Sequence, residues 1–134
     1  MKLTEKHSIL ESHRDKISVI EFWDNGITYI KIDDGCQIEI EDTIAQYEFF
    51  KFKADGKIKF LILVESGETT SISKEAREFK SRPENNELAI ATAVVVKSLA
   101  QRLLINFIIG LQKNKKTKMF DNKNKAIEWL LSFK

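Results

Sequence analysis

Four hydroxyl side chains crowd into the stretch ESGETTSISKEAREF (65–79): Thr69, Thr70, Ser71 and Ser73. They lie between an apolar run and the start of a helical pattern, where a serine can be a nucleophile, a phosphate acceptor or a helix cap. Nucleophilic use requires a nearby base, usually histidine, oriented by a third group. The two histidines, His7 and His13, fall in a polar N-terminal stretch ahead of the first clear strand pattern and read as solvated. The single cysteine, Cys36, follows Gly35 without a histidine nearby and reads as a buried, inert thiol. Five scattered glycines build neither a P-loop nor a dinucleotide fingerprint, and no His/Cys spacing suits a metal. Asp33, Asp34, Glu39, Glu41 and Asp42 gather before a helical pattern, where capping and the helix dipole account for them. The expectation is a non-enzymatic protein without cofactor or metal.

Binding fits the same residues better. Hydroxyls and free amides at a helix start can hold an anion, and in open parallel sheets ligands sit outside the carboxyl ends of the strands. Thr69 and Arg77 are therefore candidates for anion binding, and Ser73, Ser71 and Thr70 are candidates for a regulatory loop. Ser73 is equally placed to cap the helix that starts at Lys74. Both readings of that serine stay open here.

The elements that would position this loop are legible in order. Two β-rich runs, 17–23 and 27–32, flank Asp24-Asn25-Gly26, the turn chemistry of a two-stranded hairpin. A helix is expected to start at an Asp42 cap and end at Gly56. KIKFLILVES and the run around 90–96 are nearly continuous in apolar residues, as in strands covered on both faces. Both are expected at the centre of a sheet with helices on either side. A short helix follows Ser73, with Ala76 and Phe79 inward. Residues 99–112 carry an apolar stripe at Ala100, Leu103, Leu104, Phe107, Ile108 and Leu111. A short strand, TKMF, and a helix capped by Asp121 or Asn122 close the chain, with Ala126, Trp129, Leu130 and Phe133 on one face.

At 134 residues, 43% hydrophobic and 31% charged, the chain reads as one soluble domain, with a polar segment at 1–15 and the fold at 16–134. One cysteine fits a reducing compartment. The polar N-terminus is unlike a signal peptide, and no apolar run reaches the length of a spanning helix. A cytoplasmic location is expected. Residues 1–96 hold 13 Lys and Arg against 18 Asp and Glu, whereas 97–134 hold 9 against 2. The lysines of QKNKKTKMFDNKNK, with the single aromatic Phe120 among them and no arginine, read as a solvated loop, and nucleic acid is not an expected partner. Ile105 and Ile109 form an apolar pair beside Arg102 on the otherwise polar face of the 99–112 helix. Either a neighbouring element of the chain, such as the C-terminal helix with Trp129, covers that pair, or it makes a partner interface in a homodimer, which is the preferred expectation.

The element order β-β-α-β-α-β-α-β-α resembles the STAS domain, the fold of bacterial anti-sigma-factor antagonists of the SpoIIAA-like type. SKEAREF, AIATAVVVKSLAQRLLINFIIGLQK and MFDNKNKAIEWL together resemble small bacterial proteins of a STAS/SEC14, SpoIIAA-like group, over residues 16–132. The resemblance implies an α/β fold with a mixed, mostly parallel sheet, and a non-enzymatic regulatory or protein-interaction role. The alternative it carries is binding of an anionic metabolite or lipid head group. It also places Ser73, and next Ser71, near the serine that a partner kinase phosphorylates in the Asp-Ser-Ser/Thr-Gly signature. Here Ile72 replaces the aspartate and Lys74-Glu75 the small residues, so the signature itself is missing. QKNKKTKMF also departs from the group, with lysines where prolines are expected.

Overall fold

Gly26 takes a φ of 92° at the end of a three-residue loop, Asp24 to Gly26, where its N–H donates to the Trp23 carbonyl at 3.1 Å; glycine adopts that left-handed conformation without a Cβ clash. Asn25 accepts the Ile27 N–H through its side chain, closing the turn between β2 (Ser18–Trp23) and β3 (Ile27–Ile32). The computed structural model describes residues 7–82, 87–103 and 116–134. Its main sheet has the order β1-β2-β3-β5-β7-β8, with β1 (Ile9–Arg14), β5 (Phe60–Glu65), β7 (Ala89–Val95) and β8 (Thr117–Phe120). β1, β2 and β3 pair antiparallel, and β3, β5, β7 and β8 pair parallel. A separate two-stranded parallel ribbon joins β4 (Gln37–Ile38) to β6 (Ser71–Ile72).

Alternation along each strand divides the core between the sheet's two faces. Leu61 and Leu63 of β5 pack with Tyr29, Ala91, Ala93 and helix α4 (Lys123–Leu131), while Phe60 packs with Ile30, Ile32, Phe50 and Ala76. The second set lies under α1 (Ile40–Ala54) and α2 (Lys74–Lys80). β5 and β7 each have a strand on both sides, and β5 has helices over both faces, as their apolar runs predict. Leu63 is fully buried, so truncating it to alanine costs roughly 2–5 kcal/mol.

Several expectations need correction. The polar stretch at 1–15 contains β1, an edge strand, because Glu11 and Arg14 are neutralised by Lys53 and Asp33 across the structure. The histidines are not simply solvated: His13 stacks on Phe49 and His7 on Trp23, at ring-centroid distances of 4.3 and 3.6 Å. The α1 cap is Glu39, not Asp42. Asp42 sits three residues in and accepts the Glu39 N–H, closing a capping box. The left-handed residue that ends α1 is Asp55, with Gly56 following in the same conformation.

A helical segment over 99–103, α3, follows β7. Its buried residue is Gln101, whereas Ala100 is exposed and Leu103 is 63% exposed, so the expected apolar stripe does not face inward at this end. Leu104, Ile105, Phe107, Ile108, Ile109 and Leu111 lie outside the described residues, as does the expected interface pair among them. Arg102 is described, and its guanidinium pairs with Asp121 at 3.7 Å. In α4, Ala126, Ile127 and Leu130 are buried, while Phe133 beyond its end is exposed.

Candidate functional site

The hydroxyl loop between β5 and β6 is tied down along its whole length. Glu68 donates its N–H to Asp34 Oδ1 at 2.8 Å, and its carbonyl accepts from Gly35 N at 2.7 Å. Thr70 Oγ1 donates to the Asp33 carbonyl at 2.8 Å. Ser71 N and Ser73 N donate to the carbonyls of Cys36 and Ile38 at 3.0 and 2.9 Å, which makes the ribbon of β4 and β6. The acidic residues before α1 thus divide their work. Glu39 and Asp42 cap the helix, Asp34 anchors the hydroxyl loop, and Asp33 is bonded to both nitrogens of the Arg14 fork. The roles of Asp33 and Asp34 depend on contacts 19 and 34 residues away, which no local spacing signals.

Gly67 lets the loop lie against the end of β3. A Cβ at this position would stand 2.7 Å from the Ile32 carbonyl oxygen and closer still to that of Asp33. On its other side, the Gly67 carbonyl accepts from Gln101 Nε2. Gln101 in turn donates its N–H to Ser98 Oγ at 3.1 Å, so Ser98 caps the start of α3.

Between the loop and α3 runs an open groove of about 740 Å³, outside the carboxyl ends of β5 and β7. Ser66, Thr69, Ser71 and Arg77 line one side, and Lys97, Ser98 and Gln101 the other. Four of the residues expected in a regulatory or anion site therefore meet here: Thr69, Thr70, Ser71 and Arg77. Ser73 does not line the groove. Its Oγ accepts the Ala76 N–H at 3.2 Å, which is a helix cap. Arg77 donates to the Ile72 carbonyl at 3.2 Å, and that bond aims its guanidinium along the loop. Lys97, Ser98 and Gln101 were absent from the sequence reading. Their signal was their position at the carboxyl end of a buried strand, overshadowed by the apolar pattern that follows.

The charges in the groove are unbalanced. Among the described residues, neither Arg77 nor Lys97 forms an ion pair with a carboxylate. Glu68 also lines the groove and offsets one of them. Cys36 lies close by, half-buried. Burial pushes its thiol above the ordinary range, so the reactive thiolate is disfavoured. Among the described residues no cluster of His, Cys, Asp and Glu could hold a metal ion, and no helix is long and apolar enough to cross a membrane.

The mixed sheet, with its N-terminal hairpin and helices on both faces, is a SpoIIAA-like fold. It matches the crystal structure of an uncharacterized protein from the DUF3478 family, described as having a SpoIIAA-like fold, from Shewanella loihica PV-4. The match has a TM-score of 0.58 and covers 94% of this chain and 96% of that one, at 15% identity, which is a likeness of fold alone. Residues 21–134 match the family described as a domain of unknown function, DUF7793, and the chain belongs to it. No curated protein matches the sequence.

Proposed function

We propose that this chain is a regulatory domain that works by binding a protein partner through the groove between the hydroxyl loop and α3, rather than by turning over a substrate. The observation that carries this reading is a preformed groove whose two cations, Arg77 and Lys97, have no described carboxylate partner. Held in place by main-chain bonds to β4, the loop would present its surface without first having to order, which lowers the entropic cost of association. The SpoIIAA-like fold supports a regulatory role by analogy of fold only. Ser71, exposed on β6, is the better modification site, since the hydroxyl of Ser73 holds a helix amide. A phosphate on Ser71 would add charge that Arg77 could meet.

The test compares tagged wild-type chain with Ser71→Trp, which fills the groove without touching the core, after crosslinking in source cells and quantitative mass spectrometry. A stoichiometric partner held by the wild type and lost from the variant supports the reading. A partner held equally by both places recognition elsewhere. The second reading puts an anionic metabolite or a lipid head group in the same groove, and it is favoured by the same unneutralised charge.

A further inference from the structure

We propose that the groove is built for a phosphomonoester carried on a small hydroxyl-rich molecule, a sugar phosphate in class. This deepens the second reading and rests on it. Arginine offers five N–H donors in a planar fork. Arg77 commits one nitrogen to the Ile72 carbonyl, which fixes the plane of the fork and leaves its remaining donors for a bidentate contact with phosphate oxygens. Across the groove Lys97, exposed just past β7, supplies a compact second charge. A phosphomonoester carries close to two negative charges at neutral pH, roughly −1.5 to −2. Glu68 also lines the groove and offsets one of these charges, so the pair leaves a net positive surface that attracts an anion, with the Arg77 fork rather than net charge selecting phosphate.

The rest of the lining mixes apolar surface, from Ile72, Ala100 and side-chain methylenes, with hydroxyls that can meet a carrier. Thr70 and Thr69 direct their hydroxyls to the carbonyls of Asp33 and Glu68. Ser71 has no side-chain hydrogen bond among the described residues and is exposed to the groove, as are the lone pairs of Ser98 that Gln101 N leaves free. Such groups donate to and accept from hydroxyls. Among the described lining residues none is aromatic, so none of them offers a stacking surface to a nucleobase.

The experiment titrates isotope-labelled chain with glucose 6-phosphate as the probe, and separately with glucose, inorganic phosphate, AMP and a phosphoserine peptide, following amide resonances. Saturable shifts confined to 66–72 and 97–101 are expected with glucose 6-phosphate, and binding about tenfold weaker in Arg77→Gln. Lys97→Gln removes a side chain with no ion pair among the described residues, so its folding is secure and it should weaken binding in the same direction. No saturable shift with glucose 6-phosphate, or equal binding by Lys97→Gln, overturns the proposal. Equal or tighter binding of AMP, inorganic phosphate or the phosphopeptide overturns the choice of carrier. Capture of a protein partner that Ser71→Trp blocks, without any sugar-phosphate binding, would sink this inference and leave the protein-partner reading standing.

Discussion

The phenol of Tyr29 donates to Glu65 Oε1 at 2.5 Å, joining β3 to β5 across the sheet face that α4 covers. Lys123, the first residue of α4, brings its Nζ to 3.5 Å from the same oxygen and to 4.4 Å from the centre of the Tyr29 ring. Burial and the bond to Glu65 push the Tyr29 hydroxyl well above its ordinary pKa. Burial alone would raise Glu65 too, but the Tyr29 bond and the charge of Lys123 outweigh it and hold the carboxyl below its usual value.

These two shifts act at opposite ends of the pH scale. Tyr29 favours its neutral form in the fold, so its contribution is complete below the ordinary tyrosine value, about 10, and is lost as pH rises beyond it. Glu65 favours its charged form, so its contribution is present above the ordinary glutamate value and lost as pH falls through the lowered one. Tyr29→Phe should cost about 1.5–3 kcal/mol at neutral pH, the worth of a hydrogen bond to a charged group. Urea unfolding at several pH values should show wild type converging on the variant above pH 10. A constant gap across that range would mean that the phenol is not held by Glu65.

Ser73→Ala should destabilise the chain by about 1 kcal/mol through loss of the cap on α2. Ser73→Asp should restore most of that, because aspartate accepts the same amide. Chemical denaturation of the three proteins decides between a cap and a purely functional serine. If Ser73→Ala matches wild type in stability, the bond to Ala76 contributes nothing.

Much of the fold was legible because local chemistry and tertiary demand agree. Asn25-Gly26 marks the hairpin, although the loop has three residues and only Gly26 is left-handed, and the apolar runs of β5 and β7 become the interior strands they imply. Asn122 caps α4, one of the two residues expected to do so, with its Oδ1 accepting Lys125 N at 3.0 Å. What was not legible depends on partners distant in sequence. β1 has no apolar alternation, and its charges are matched by Lys53 and Asp33, 42 and 19 residues away. The ribbon of β4 and β6 is two residues per strand, too short for any periodicity to show. The hydroxyl loop was visible as a candidate site, yet its facing wall was not, because a lysine and a serine before an apolar helix look like an ordinary cap. Gln101 was hidden for the same reason: a polar residue inside an apolar pattern reads as solvent-facing, and here it is buried on the Gly67 carbonyl.

Gly67→Ala should move the groove without unfolding the core. The added methyl meets main-chain oxygens of Ile32 and Asp33, which cannot swing aside as a side chain can. The loop must shift, at a cost of about 1–3 kcal/mol. Amide resonances of 68–72 and of Gln101 should change while those of β7 and α4 stay in place. Unchanged stability and unchanged loop resonances would show that the close approach is not maintained in solution.

Asp15 holds the start of β2 in the way a cap holds a helix, and its removal should be felt across the α1 face of the sheet. Its Oδ1 accepts from Ile17 N, Ser18 N and Ser18 Oγ at 3.0, 2.7 and 2.9 Å, and its Oδ2 accepts from Gln46 Nε2 at 3.3 Å. Gln46 also donates to Ser18 Oγ at 3.0 Å, and both Ser18 and Gln46 are buried. Removing the carboxylate therefore leaves several donors without an acceptor, in a place where water does not readily substitute. Asp15→Ala should cost about 2–4 kcal/mol, above a single hydrogen bond because each stranded donor carries its own desolvation penalty. Asp15→Asn keeps one carbonyl oxygen for the two amides and should cost clearly less. The network also predicts coupling: the double variant Asp15→Ala with Gln46→Ala should be less destabilised than the two single losses added, by about 0.5–3 kcal/mol. Urea denaturation of the four proteins measures it. Strict additivity would mean that Asp15 and Gln46 act separately, and that the bond between their side chains contributes nothing to holding α1 against the sheet.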